Sequence, residues 1–186
     1  MTTIKLENDM SKKQLRNYYY EVLMIWTRRS SDDILSSISY TYKKYFSLFI
    51  IYIIYILIYT LYIIFYKSSF FVLFFYVLFL LFIPFLLNTL FRVEKMVSGD
   101  KKRKDGPKRV VVVDKDELSS QIADTKISIK WKDIKNLLIG DYSITFLPKD
   151  LNAFLISLPI HYKNEVLDAL KKEKVKIDTI TKSNKS

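Results

Sequence analysis

Cysteine is absent from this chain of 186 residues, histidine occurs once, and glycine only three times. Without cysteine the chain has no disulfide framework, no thiolate nucleophile and no thiolate metal ligand. Glycine is too sparse for a phosphate-binding loop, and no metal-ligand spacing is present. The lone histidine, His161, lies near a predicted helix start, where capping or exposure accounts for it better than catalysis. These absences predict a protein that is not an enzyme and needs no cofactor or metal.

Acidic residues are also in short supply. The chain has 19 Asp and Glu against 30 Lys and Arg, which gives a net charge of +11. Such an excess is typical of proteins that meet nucleic acid or an anionic membrane surface. No recognition helix or base-stacking platform is evident, so nucleic acid is not expected as a partner. The membrane interpretation takes precedence because of the apolar runs described next.

Charge is missing altogether from two apolar runs, residues 45–66 and 68–91, which Lys67 separates. As helices they would span roughly 33–36 Å, enough for the hydrocarbon core of about 30 Å. Only helices satisfy their own backbone groups there, so the runs predict a transmembrane hairpin over residues 45–92. Pumps and proton relays need ionisable groups within the membrane, and their absence argues against both.

Orientation follows from the basic residues beside the two runs. Lys43 and Lys44 precede the first run, and Arg92 and Lys95 follow the second, whereas the loop between them carries only Lys67. Basic flanks stay in the cytoplasm. The pattern predicts a multi-pass protein of the cell membrane with both termini cytoplasmic.

Tyrosines recur along the first run at spacings of three and four residues, which places them on one helical face. A tyrosine hydroxyl near the bilayer centre needs a polar partner. This tyrosine stripe is therefore expected to face the second helix, a second copy of the chain or another protein. Its candidate contact residues are Tyr52, Tyr55, Tyr59 and Tyr62.

Residues 1–44 read as an amphipathic cytosolic arm. Ser11 and Gln14 have capping-box spacing and predict a helix that extends to about Arg29. This helix suits the membrane interface, with Trp and Tyr at headgroup depth, and suits equally well packing on a cytosolic domain. Ser30 and Asp33 form a second capping box, which predicts a helix leading into the membrane.

A basic linker is predicted over residues 93–107, where Gly, Pro and charge cluster. Its four consecutive basic residues could attract anionic lipid, or could serve only to set the topology. The candidate lipid contacts are Lys101, Lys102, Arg103 and Lys104.

From residue 108 the pattern changes to short β-branched and alternating segments, which predict a small antiparallel sheet domain over residues 108–178. A helix from His161 to about Lys174 is expected to plug the open side of the curled sheet. Residues 179–186 read as a disordered tail. The fold class is therefore α+β, with a two-helix transmembrane hairpin ahead of the sheet domain. The predicted strands are Val110–Val113, Leu118–Ile122, a strand ending at Trp131, Ile134–Ile139, Tyr142–Leu147 and Ala153–Leu158.

The stretch KISIKWKDIKNLLIGDYSITFL, followed by AFLISLP and an amphipathic helix, resembles the C-terminal domain of the YcxB-like bacterial membrane proteins. The similarity rests on Trp131, on Asp133 with Ile134, and on the turn at Asp141. The two preceding apolar runs are also similar, so the resemblance covers residues 45–174. It implies a fold related to the pleckstrin-homology (PH) domain. Where this family has basic residues after the last strand's proline, this chain has Ile160 and His161.

Two functions remain open. The chain could be a non-enzymatic binding module that displays its PH-like domain on the cytoplasmic face and recruits a protein or senses anionic lipid. It could instead be a bacteriocin immunity protein, whose tyrosine stripe contacts a pore-forming peptide within the membrane. Under both functions, the expected partners are the membrane and either another protein or a second copy of the chain.

Overall fold

A computed structural model describes residues 1–6, 10–28, 41–65, 70–102 and 109–181. The capping box predicted at Ser30 and Asp33, the loop around Lys67, and the candidate lipid contacts Arg103 and Lys104 lie outside these residues. Within them the chain forms three long helices, two four-stranded sheets and a short helix near the C-terminal end.

Two of the long helices occupy the apolar runs. They are α2 (Tyr42–Phe65) and α3 (Phe70–Lys102), and α1 (Lys12–Arg28) precedes them in the chain. Both α2 and α3 are long and apolar enough to cross a membrane, and only 6% of the residues in the apolar window of each are buried. Tyr45 reaches Leu86 and Tyr52 reaches Phe79, so the two helices form an antiparallel hairpin. This hairpin leaves most of its apolar surface exposed.

Helix α3 continues past its apolar run as far as Lys102. The first part of the linker predicted over residues 93–107 is therefore helical. Val93 and Val97, one turn apart, are 0% and 1% exposed because they pack against α1. The local pattern of Gly and charge predicts that the helix ends before this linker. The packing against α1 instead stabilises α3 as far as Lys102.

Two sheets of four strands form the sheet domain, together with helix α4. In the first sheet all neighbours are antiparallel; in the second, the last strand joins the edge in parallel. The first contains β1 (Thr2–Lys5), β2 (Val110–Val113), β3 (Glu117–Ile122) and β4 (Thr125–Lys130), in that order. The second has the order β7 (Ile156–Pro159), β6 (Ser143–Pro148), β5 (Ile134–Ile139) and β8 (Thr179–Thr181). Helix α4 (Lys163–Lys172) follows β7.

Strands β1 and β8 correct the sequence prediction. Residues 2–5, expected in the amphipathic arm, pair with β2, with Thr2 opposite Val113. Residues 179–181, expected in a disordered tail, pair with β5, with Thr179 beside Leu137. The sheet domain therefore begins before the hairpin in sequence and closes after it. Strands of three or four residues are too short to show a recognisable alternation in the sequence. They become ordered by pairing with β2 and β5.

One apolar core lies between the sheets and α4. Its fully buried residues include Val111, Leu118, Leu137, Phe146 and Leu158. Trp131 lies in a single 3-10 turn between β4 and β5 and is half-buried against this core. Its indole nitrogen donates to the Asp114 carbonyl at 2.7 Å, which satisfies the polar edge of the ring.

The predicted closing helix is present, with a 3-10 turn over Ile160–Tyr162 ahead of α4. Val166, Ala169 and Leu170 bury the apolar side of α4 in the core. His161 is exposed in the 3-10 turn, and its ring lies tilted against the Tyr162 ring, 4.2 Å between centroids.

Candidate functional site

Helix α1 begins at the predicted capping box. The Ser11 hydroxyl accepts from the Gln14 N–H at 3.3 Å, and the Gln14 side chain accepts from the Ser11 N–H at 2.9 Å. Two backbone donors of the first turn are satisfied in this way. The capping therefore sets where α1 starts. The two opposite faces of α1 contact different parts of the molecule.

One face of α1 packs on the outside of the second sheet. Ile25 is fully buried against Leu138 and Leu147, and the Tyr18 hydroxyl donates to the Ser157 carbonyl at 3.0 Å. Burial raises the pKa of the Tyr18 phenol. Of the two placements open from the sequence, the structure has α1 packed on the sheet domain.

The docking of α1 explains a feature that strand alternation alone does not. Strand β6 is expected to expose Ser143 and Thr145, yet all six of its residues are buried. One side of β6 faces the core and α1 covers the other. The buried hydroxyls of Thr145 and Ser157 bond to each other at 2.9 Å, so neither is left unsatisfied.

The centre of this contact is Glu21, the one acidic residue in α1, which is 3% exposed. Its carboxylate accepts from the backbone N–H groups of Asp141, Tyr142 and Ser143, at 3.0–3.4 Å. The Ser143 hydroxyl donates to the same carboxylate at 2.5 Å. A side chain of α1 therefore closes the turn between β5 and β6.

Gly140 makes room for this carboxylate. A Cβ on Gly140 would lie 2.0 Å from Oε1 of Glu21, closer than any real contact. Glycine is required here for close approach rather than for an unusual backbone angle. The turn predicted at Gly140 is thus also the place where α1 docks on the sheet domain.

Two influences on the pKa of Glu21 oppose each other. Burial favours the neutral acid, whereas the hydrogen bonds from Ser143 and the turn favour the carboxylate. Burial is the larger, and the pKa of Glu21 is raised above its ordinary value. Sequence reasoning did not single out Glu21, although a lone acid in a helix of apolar and basic residues was a usable signal.

The opposite face of α1 packs on the base of the hairpin. An apolar cluster joins α1 to α2 and α3 there, and Tyr20 packs its ring on Tyr45 at 5.4 Å. Helix α1 is therefore held between the sheet domain and the hairpin, and connects them. The buried members of the cluster are Leu15, Tyr20, Leu23, Tyr42, Leu90, Val93 and Val97.

Charged groups surround Glu94 at this junction. The Arg16 guanidinium lies 2.5 Å from Oε1 of Glu94, and the Tyr42 hydroxyl donates to the same oxygen at 3.0 Å. Lys12 lies 4.0 Å from the other carboxylate oxygen. The hydrogen bond to Glu94 raises the pKa of Arg16. One carboxylate on α3 therefore faces two cations on α1, which leaves the cluster net positive.

Helices α2 and α3 meet along a narrow seam. The α2 residues on it recur at alternating spacings of three and four, as in coiled coils, and all are buried or half-buried. The seam is thus broader than the tyrosine stripe and includes a phenylalanine and two isoleucines. The buried and half-buried α2 residues at these spacings are Tyr42, Tyr45, Phe49, Tyr52, Ile56, Tyr59 and Ile63. Beside them, the hydroxyls of Thr60 and of Tyr76 on α3 bond to each other at 2.8 Å.

The predicted tyrosine stripe divides between this seam and the exposed surface. The Tyr52 hydroxyl donates to the Phe79 carbonyl, and the Tyr59 ring lies 6.0 Å from that of Tyr76 on α3. Tyr55 and Tyr62 are 52% and 48% exposed on the flank of the seam. Tyr52 and Tyr59 thus pack within the hairpin. Tyr55 and Tyr62 lie at its exposed edge, and the Tyr55 ring still contacts α3, 6.0 Å from the Phe79 ring.

The basic cluster is described only in part. Lys101 and Lys102 form the end of α3, and their backbone is helical. No group of three or more His, Asp or Glu side chains that could hold a metal ion occurs in the described ranges.

The sheet domain also has a cleft of its own, with a volume of about 420 Å³. It lies between the turn that joins β3 to β4 and the edge strand β7. The Arg109 guanidinium donates to the Ser120 hydroxyl at 2.9 Å on its wall. Ile127, Leu155 and Ile156 supply its apolar lining. This sheet cleft combines a cation with apolar surface, as small ligand sites do.

Comparison with known proteins found no matching family model, no similar curated protein and no similar solved structure.

Proposed function

We propose that this chain is a non-enzymatic, membrane-anchored binding protein. Its hairpin of α2 and α3 crosses the cell membrane, and both termini lie in the cytoplasm. The sheet domain is PH-like and binds a protein or an anionic lipid at the cytoplasmic face.

The exposed apolar surface of the hairpin supports membrane insertion. Side chains such as Ile58, Leu81 and Phe85 are more than 60% exposed, on helices whose apolar runs carry no charge. In water so large an apolar surface would drive aggregation, whereas lipid tails solvate it without penalty. The basic residues at the ends of both runs then favour a cytoplasmic sheet domain.

The architecture of the sheet domain supports the PH-like interpretation. Two four-stranded sheets share a core that a helix near the C-terminal end closes. This agrees with the fold implied by the resemblance to the YcxB-like proteins, which rests on Trp131 and the turn at Asp141. To display a binding surface, the domain must be rigid and part of its surface must be accessible. The sheet cleft beside Arg109 is such an accessible surface.

The observation that carries the proposal is the position of α1. Glu21 and Ile25 hold one face of α1 on the sheet domain, while Leu23 and Arg16 hold the other on the hairpin. A flexible tether would suffice for an anchor alone. A buried, doubly packed connector fixes the sheet domain relative to the membrane, as a protein that presents a binding surface requires.

Topology is the first test. Because the chain has no cysteine, each introduced cysteine is the sole thiol. We expect Ser68→Cys to react with an impermeant maleimide in intact cells, and exposed Ser128→Cys on β4 to react only after permeabilisation. The reverse pattern would refute the orientation, and recovery of the chain in the soluble fraction would refute the anchor.

Binding by the sheet domain is tested separately. A photo-reactive amino acid at Ile127 in the sheet cleft should cross-link a defined protein or lipid in cells. The same amino acid at Lys115, in an exposed turn outside the cleft, is the matched control. Equal cross-linking at both positions, or none at either, would contradict a binding role for the cleft.

Exposed Tyr55 and Tyr62 favour a second candidate function, bacteriocin immunity. In that case they contact a pore-forming peptide within the membrane. This function requires a short cationic peptide encoded beside the gene. Cells that produce the chain should then survive that peptide, and Tyr55→Leu with Tyr62→Leu should abolish survival. Replacing Ile51 and Ile58, which are comparably exposed, by Leu should leave survival unchanged. Protection that withstands the tyrosine changes would exclude this contact.

A further inference from the structure

A groove opens where α1 meets the base of the hairpin. Its volume is about 660 Å³, within the range of small-molecule sites. Phe46 on α2 and Leu87, Leu90 and Phe91 on α3 form its apolar walls. Arg16, Tyr42, Asn88 and Glu94 complete the lining. The groove therefore has an apolar part and a polar, charged part.

The groove lies where both helices change from apolar to charged. On α2, Lys43 and Lys44 immediately precede the apolar run, and on α3 Arg92 immediately follows it. In a hairpin that spans a bilayer, this level is the headgroup layer. The apolar walls then lie beside acyl chains, and the charged end lies beside phosphates.

Charge at the polar end complements an anion. Lys12 and Arg16 face the single carboxylate of Glu94, and the Arg16 and Glu94 side chains are each about one-third exposed. The pair is thus open to solvent and to a competing ligand. A phosphate can take the bidentate geometry that guanidinium groups favour.

We propose that this groove binds one molecule of an anionic phospholipid. An acyl chain lies along Phe46, Leu87 and Phe91, and the phosphate approaches Lys12 and Arg16 in competition with Glu94. The inference rests on the proposed membrane insertion, and it assigns a lipid site to the base of the inserted hairpin. Because Arg16 and Glu21 lie on the same helix, the bound headgroup also contacts the element that holds the sheet domain in place.

A second copy of the chain fits the groove less well than a lipid. The protein carries a net charge of +11, and Lys43, Lys44 and Arg92 are exposed beside the groove. A second copy would bring the same cations against this positive rim. An anionic lipid supplies the opposite charge and the apolar chain together.

The test uses the full chain purified in mild detergent and supplied with equal amounts of phosphatidylglycerol and phosphatidylcholine. Native mass spectrometry should show one retained phosphatidylglycerol per chain. Arg16→Gln should weaken its retention about tenfold, as expected for loss of a charged hydrogen bond. Glu94→Gln should strengthen retention, because it removes the competing carboxylate. If the ion pair served only to hold the helices together, both changes would act in the same direction, which would overturn the proposal.

A second pair of variants tests the groove itself. Leu87→Trp fills it, while Leu81→Trp adds the same ring to an exposed α3 position outside it. Only Leu87→Trp should lower lipid retention. Equal retention in both variants, no preference for phosphatidylglycerol, or a lipid-free dimer would each overturn the groove site. Resistance to carbonate extraction is measured in parallel, so that failure of membrane insertion is distinguished from failure of the lipid site.

Discussion

The sheet domain and the hairpin are both rich in apolar residues, but they bury them to very different extents. In the sheet domain, Leu118, Phe146 and Leu158 are 0% exposed. In the hairpin, Leu57, Phe82 and Phe85 are more than half exposed, and its contacts lie along the seam and at its base against α1. The same side-chain chemistry therefore serves an internal core in one region and an outer surface in the other.

Polar groups differ in the same way. In the sheet domain, hydroxyls such as those of Thr145 and Ser157 bond to each other in the interior. In the hairpin, Tyr45 and Tyr52 bond to backbone carbonyls of the facing helix. Aromatic rings with a polar tip can fill the seam because the tip finds a partner across it. The comparison indicates two environments, a protein interior in the sheet domain and an apolar exterior around the hairpin.

The largest difference between the two regions is expected when one aromatic ring is removed from each. Phe146→Ala should lower the free energy of unfolding by about 3–5 kcal/mol, because it leaves a cavity in the core. Phe85→Ala, at an α3 position that is 69% exposed, should change it by less than about 0.5 kcal/mol. Denaturant unfolding of the full chain in micelles, followed by tryptophan fluorescence, measures both. Similar losses would mean that the hairpin has an unrecognised core.

The next effect concerns the junction between the regions. Gly140→Ala should destabilise the protein by about 1–3 kcal/mol, since the new methyl group displaces the Glu21 carboxylate. Gly99→Ala is the matched control: nothing lies within 4 Å of its Cβ position in α3. There alanine should stabilise by about 0.5–1 kcal/mol through helix propensity. Thermal midpoints that shift in the same direction would contradict the docking of α1 at this turn.

A smaller effect should depend on pH. Because burial raises the pKa of Glu21, the folded chain holds this proton more tightly than the unfolded chain. The resulting stability is complete below about pH 4, the ordinary value for Glu, and is lost as the pH rises through the raised pKa. The stability of the wild type relative to Glu21→Gln should therefore fall from acidic to neutral pH.

Unfolding of both proteins across this pH range is the measurement, and the difference between them isolates residue 21. A difference that grows with pH would show that the hydrogen bonds from the turn outweigh burial.

The smallest effect is expected within the tyrosine stripe. Tyr52→Phe should destabilise the hairpin by about 0.6 kcal/mol, the average for interhelical hydrogen bonds in membranes. Tyr55→Phe, on the exposed flank, should have no effect on its stability. An aromatic control at an outward position is Phe65, which is 76% exposed, whereas Phe49 packs on the apolar cluster that joins α1 to the hairpin. Equal effects of the two tyrosine changes would show that the stripe does not divide as described.

Local signals predicted much of the secondary structure. The capping box at Ser11 marks the start of α1, and the strands around the turn at Gly140 were predicted close to their observed bounds. These features depend on residues within a few positions of each other. The apolar runs likewise predicted α2 and α3, although α3 extends further because Val93 and Val97 pack on α1.

The candidate site was less accessible to sequence reasoning. Spacing alone grouped Tyr52, Tyr55, Tyr59 and Tyr62 on one face, but it could not determine which of them meet α3. Helical periodicity identifies a face within about one residue, whereas the seam is decided by how the partner helix is rotated and placed. For this reason Phe49 lies in the seam, whereas Tyr55 and Tyr62 lie at its exposed edge.

The sequence by itself determined the class of most segments, because helix capping, strand alternation and long uncharged runs are local properties. Only the tertiary structure decided that β1 and β8 close the sheets and that Glu21 fits the turn at Gly140. It likewise decided that Arg16 meets Glu94. Each of these contacts joins residues far apart in the chain, and no local pattern specifies the partner. Burying Glu21 leaves its carboxylate the turn as its hydrogen-bond partner, and strands β2 and β5 supply the backbone partners of β1 and β8.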